Sequence, residues 1–493
     1  MRNQLTILLC ILGMGWMASC SNSTGSTETT GSTVVAAVDN TPADDHYDIT
    51  LNIPNQTADT AVLAYYMGDN RYVKDTALRV GSEFKFQGDE PLPKGLYLAV
   101  FMPGNNFFDF VVGKDQTFTL TTDTTDLAGN MQVDGAADNA LFYEHVQYLN
   151  SQRVKMEELS KQRQALAEGD AQIQPLEDQM KALNEEVMNT RKELKANNPH
   201  SLAVKILTAS DAPQVPDAPE GAPEDFQYRY YKAHYWDNLD IANDGLMRTP
   251  IMDKKVDEYL DRLVMQHPDS LIGEVDSLLM RSKMNDETFQ HYLAYLLNKY
   301  ADKANKIMGM DAVYLHIVEK YYAAGEAWWM DPDALEDIIE KAEKLSPIII
   351  GRQGKDFGAK DENGQLKTLF GEQAELTILY FWDYDCGRCK KVTPELAKIY
   401  PDYKDQGVAL YTVSINGDDD TWKKKLKEYG LTGIGATNVA DPYRSSGFDD
   451  KYNINSTPKI FILDKDKVIR YKWIGVDQLP EILDRELNGE TEE

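Results

Sequence analysis

Cys386 and Cys389, separated only by Gly387 and Arg388, are the side chains of this sequence best suited to chemistry. Two thiols at that spacing can form and break a disulfide with each other. The chain has four cysteines, and the other two, Cys10 and Cys20, lie near its start. A structural disulfide framework needs more pairs across longer loops. A zinc site needs two further ligands, and none stands nearby. The seven histidines are scattered without ligand spacing, so neither a metal nor a cofactor is expected. A lone C-x-x-C therefore reads as a redox pair.

The segment around the pair supplies the elements that would position it. Residues 376–382 are a continuous apolar run, as in a central strand buried on both faces. Asp383, Tyr384 and Asp385 make a turn, and 390–400 has helical character. This order puts Cys386 at a helix N-terminus, where free N–H groups and the helix dipole favour a thiolate. Cys389 falls one turn inside, shielded from solvent, where it can attack a mixed disulfide. Downstream, a strand is predicted at 408–415 and a helix at 421–429. Asn455-Ser456-Thr457-Pro458 leads into a strand at 459–463. A turn at 464–467 precedes a strand at 468–474, with Ile469, Tyr471 and Trp473 expected on one face, and a helix at 479–487 closes the region.

The remaining chain divides by pattern. Residues 1–19 form a short basic and apolar segment of the length of a secretory signal. It ends in Met17-Ala18-Ser19-Cys20, which resembles the bacterial lipobox and marks Cys20 as a lipidation site. Residues 20–45 are Ser/Thr/Gly-rich and read as a flexible tether. From 46 to 135, period-two alternation broken by turn residues predicts a small antiparallel β-sandwich. The period becomes helical over 138–345: a heptad-like hairpin at 138–198, a Pro-rich acidic linker at 211–224 and an aromatic-rich block at 225–345. Residues 346–489 form the unit that carries the thiols. The net charge of −29 argues against a nucleic-acid partner, because phosphate binding needs basic surface.

The stretch F-W-D-Y-D-C-G-R-C-K-K-V-T-P-E-L resembles the active-site region of thioredoxin-fold proteins of the TlpA/ResA kind. Pro394 stands where that family keeps a helix-kinking proline, and Thr457-Pro458 matches its cis-proline turn, which offers backbone hydrogen bonds to substrate. Together with the lipobox, the β region and Tyr235-Trp236-Asp237-Asn238, the order of regions resembles a group of Gram-negative envelope lipoproteins. The resemblance implies a C-terminal α/β thioredoxin fold and thiol–disulfide exchange on exported client proteins. It also implies an electron donor, a lipid anchor in the membrane and a position facing the periplasm. Three positions depart from it, one of them Asp385, where the family usually has a Trp before the first cysteine. Family members place a carboxylate beside the buried second thiol, yet the corresponding positions here are Tyr380 and Val392. The nearest acids, Asp383 and Asp385, become the expected proton acceptors for Cys389. Asp385 should raise the Cys386 pKa while Arg388 and the helix end lower it, for a modest net depression. The competing reading is an envelope binding or scaffold lipoprotein with an auxiliary redoxin. A thiol peroxidase is disfavoured because the P-x-x-x-T-x-x-C setting is absent.

Overall fold

The computed structural model describes residues 43–304, 306–417 and 420–489. The proposed leader, Cys10, Cys20 and nearly all of the tether lie outside these residues. The chain forms two compact units. One runs up to Val264 and includes Ser277–Phe289; the other comprises Met265–Asp276 and the residues from Gln290 onward.

In the first unit, eight strands form two four-stranded sheets. One has the order β4-β1-β7-β8, from β1 Tyr47–Asn52, β4 Glu83–Gly88, β7 Thr117–Thr121 and β8 Gln132–Asp134. The other has the order β3-β2-β5-β6, from β2 Thr60–Met67, β3 Asn70–Leu78, β5 Gly95–Met102 and β6 Asn106–Val112. The alternation of β1 does what its period implies: Tyr47, Ile49 and Leu51 are buried and the intervening polar residues are not. All pairs are antiparallel except β1 with β7, which is parallel. Helices Ala137–Gln164 and Ile173–Asn197 follow, joined by cross-helix bonds such as Gln152 to Glu186 and Arg163 to Glu177. Asn139 anchors the first helix to β6: its side chain accepts from Val111 N–H at 2.8 Å and donates to Val111 C=O at 2.7 Å. Tyr235 and Trp236 are buried against Tyr259, so this part of the aromatic cluster fills a core.

The second unit holds a seven-stranded sheet of order β10-β9-β13-β12-β11-β14-β15. Its strands are β9 Gly358–Asp361, β10 Leu366–Thr368, β11 Leu376–Trp382, β12 Val408–Ser414, β13 Thr437–Ala440, β14 Lys459–Asp464 and β15 Ile469–Lys472. β11 is central, parallel to β12 and antiparallel to β14, and every one of its residues is buried. Side chains alternate across a strand, so β11 feeds two cores. Ile378, Tyr380 and Trp382 join Cys389 and Leu396 on one side, while Leu379 and Phe381 join Phe357, Phe448 and Tyr452 on the other.

β15 corrects one expectation. Ile469, Tyr471 and Trp473 do not share a face: Ile469 and Trp473 pack into the Phe381 layer, and Tyr471 packs into the Cys389 layer. The pairing slips between Ile462–Tyr471 and Leu463–Ile469, leaving Arg470 as an extra residue. One inserted residue reverses the alternation between Ile469 and Tyr471, and Trp473 lies past the strand end with a left-handed φ of 57°.

Candidate active site

β11 delivers the chain to the redox pair and the helix Cys389–Ile399 carries it away. The connection is fastened by Asp383. Its carboxylate accepts from the Asp385 N–H at 2.6 Å and from the Asn416 side-chain amide, and its carbonyl accepts from the Cys386 N–H at 3.2 Å. Helical bonding starts at once: Lys390 N–H donates to Cys386 C=O and Val392 N–H to Arg388 C=O. The pair thus straddles the helix start, with Cys386 at the mouth and Cys389 as the first helical residue. Pro394 lies within this helix.

The two sulfurs are not bonded to each other, and their surroundings differ. Cys386 is partly exposed; Cys389 is 0% exposed. The Cys386 thiol donates to Thr457 C=O at 3.4 Å, and its sulfur accepts from the Cys389 N–H at 3.4 Å. Thr457–Pro458 is cis and lies against the pair. Partial burial opposes ionisation of Cys386. The N–H groups of Cys389 and Arg388, the Cys389 thiol and Thr457 outweigh it, so the pKa falls below the ordinary value. Burial dominates at Cys389 and pushes its pKa up to about 11, against N–H donation from Asp383 and a bond from Thr457.

The sequence-predicted residues are thus brought together in part. Cys386, Cys389, Thr457 and Pro458 form one cluster. The expected proton acceptors do not join it through their carboxylates. The Asp383 carboxylate is engaged in holding the turn. Asp385 is exposed. Asn416, which fastens Asp383 from the end of β12, carried no sequence mark. Neither did Thr393. Its hydroxyl lies 2.8 Å from the Tyr380 hydroxyl, and both side chains are 0% exposed beside Cys389. Their spacing could have disclosed them: Thr393 is one helical turn beyond Cys389, and Tyr380 shares a β11 face with Trp382.

Residues 373–469 match a thioredoxin-like family, 47–142 a domain of unknown function (DUF4369) and 173–345 another (DUF5106). The chain is 27% identical over 126 residues to the thiol-disulfide oxidoreductase ResA of Bacillus thuringiensis (strain Al Hakam), covering 26% of this chain and 70% of that protein. A thioredoxin-like protein from Bacteroides caccae is similar over 55% of this chain and 97% of its own, with 18% identity and a TM-score of 0.42. A domain of a possible thiol-disulfide isomerase from Cytophaga hutchinsonii is 32% identical, over 29% of this chain and 97% of its own, with a TM-score of 0.27. The C-terminal part of this chain is a thioredoxin-like domain with ResA-type thiol–disulfide oxidoreductases among its relatives, and it follows a DUF4369 and a DUF5106 region.

Proposed function

We propose that this chain is a thiol–disulfide oxidoreductase that exchanges disulfides of exported proteins through Cys386 and Cys389. The observation that carries the reading is the asymmetry of the pair. One thiol is accessible with a lowered pKa, and the other is buried with a raised one. The Cys386 thiolate attacks a client disulfide, one client sulfur leaves as thiolate and takes a proton, and a mixed disulfide remains. Cys389 loses its proton and attacks the Cys386 sulfur. The Cys386–client bond breaks, and the second client sulfur leaves as a thiol. The client gains two electrons and the pair is oxidised to a disulfide; an electron donor then restores it. Thr457 and Pro458 form the surface against which a client strand docks, with Thr457 C=O as an acceptor beside the reacting sulfur.

The cellular setting belongs to the same proposal. Met17-Ala18-Ser19-Cys20 supports a lipid on Cys20 and an envelope position facing the periplasm. Among the described residues no helix is long and apolar enough to cross a membrane.

Reduction of insulin disulfides by the purified chain with dithiothreitol as donor tests the activity. Catalysed insulin precipitation lost in Cys386→Ser is the expected result. Turnover of hydrogen peroxide with no action on insulin would point to a peroxidase. Neither activity would leave the scaffold reading.

A further inference from the structure

Two buried hydroxyls beside Cys389 have no part in the steps above. Tyr380 extends from β11 and Thr393 from the helix Cys389–Ile399, and their oxygens are 2.8 Å apart. Either hydroxyl can be the donor of that bond. Two hydroxyls carry two protons, and their mutual bond uses one. If Thr393 donates to Tyr380, the phenol O–H is left to point elsewhere, and the Cys389 sulfur lies in the same buried cluster. Both side chains and Cys389 are fully buried.

We propose that the Tyr380–Thr393 hydroxyl pair is the device that receives the Cys389 thiolate during resolution, in place of a buried carboxylate. This rests on the redox reading above and adds a residue to it. While Cys389 is a thiol, its S–H can donate to the phenol oxygen and the phenol to Thr393. When the thiol ionises, both hydroxyls rotate: Thr393 donates to Tyr380 and Tyr380 to the sulfur anion. The hydroxyls keep their protons throughout. The proton from Cys389 passes through solvent to the departing client thiolate, so charge and atoms balance.

Tyr380 is no base in this scheme. Burial, then the neighbouring Cys389 sulfur, hold its pKa well above the ordinary phenol value, so it remains a donor across the working range. The other groups facing Cys389 are few. The titratable ones are Cys386 and Tyr380; Asp383 contributes an N–H and Thr457 a hydrogen bond. The remaining close packing comes from Trp382, Leu396 and other apolar side chains. A donor to an ion in so apolar a site is worth more than one between neutral groups.

The test uses the full chain and Ellman's reagent as the disulfide. Attack by Cys386 releases one nitrothiobenzoate, and resolution by Cys389 releases the second, so the two steps are read separately. Tyr380→Phe is expected to leave the first release within about twofold and to slow the second about tenfold at pH 7. Its pH inflection should move up by about one unit. Thr393→Val should act in the same direction, and Thr393→Ser should restore the wild-type rate. A purely structural pair would lower the melting temperature and leave the second inflection unmoved in Tyr380→Phe and Thr393→Val, which overturns the proposal. Loss of the first release in the wild type would instead strike the redox reading itself. Should Tyr380→Phe fail to fold, Thr393→Val carries the same decision.

Discussion

At Cys386 and Cys389 one helix start treats two thiols in opposite ways. Its N–H groups reach the sulfur at the mouth, and its first turn buries the sulfur behind. Alkylation of the reduced chain with iodoacetamide, followed by peptide mass spectrometry, should therefore show two inflections. Cys386 should titrate below the free-thiol value of about 8.5, and Cys389 near the value of about 11 set chiefly by its burial. The backbone of Arg388 contributes to the lowering at Cys386 through its N–H. Arg388→Ala keeps that N–H and should move the Cys386 inflection by less than about 0.3 units. Arg388→Pro removes it, at a helix-start position that tolerates proline, and should raise the inflection by about half a unit. Equal shifts in both variants would return the effect to the guanidinium. The pair and its asymmetry were legible in the sequence, since a C-x-x-C between a buried strand and a helix admits one arrangement of the two sulfurs. The Tyr380–Thr393 pair was not, because a search for a carboxylate passes over hydroxyls that strand parity and helix spacing bring together.

Among the elements, the apolar run at 376–382 and the period-two β region were readable because one physical pattern governs each residue in them. β15 was not, because a bulge at Arg470 has no composition of its own and only the pairing with β14 exposes it. The hairpin was readable as two helices, but not the residue that fixes it to the sheet. Asn139 is polar at a position where helical periodicity predicts an apolar side chain, and it is 0% exposed. It satisfies both backbone groups of Val111, much as a neighbouring strand would. Asn139→Ala leaves a buried N–H and C=O unpaired. At roughly 1–3 kcal/mol per unsatisfied group, a loss of about 2–6 kcal/mol is expected. Hydrogen exchange is the direct reading, with the Val111 amide losing protection about a hundredfold or more. Protection unchanged in the variant would mean that water replaces the side chain there.

On the scale of the molecule, the change of pattern near residue 346 suggests a domain boundary, and the second unit places residues from Gln290 onward on both sides of it. What binds the two sides is an ion pair no sequence pattern announces, since its partners are 161 residues apart. The Lys472 ammonium at the end of β15 donates to the Asp311 carboxylate of the helix Met310–Ile317 and, at 3.0 Å, to Ile348 C=O. Lys472 is 6% exposed and Asp311 is 1% exposed. Burial lowers the Lys472 pKa, and Asp311 acts to restore it. Such a pair gives little net stability over an apolar one, yet removing one partner strands a buried charge. Lys472→Met should therefore destabilise the second unit by about 3–5 kcal/mol, read as faster exchange of the β14–β15 amides and a lower urea midpoint. Lys472→Met with Asp311→Leu removes both charges and should recover most of that loss, the remainder reflecting the unpaired Ile348 carbonyl. If the double variant is as unstable as the single one, the loss belongs to packing and not to charge. A fragment beginning at 346 carries Lys472 without Asp311, and it should unfold at a lower urea concentration than one beginning at 290.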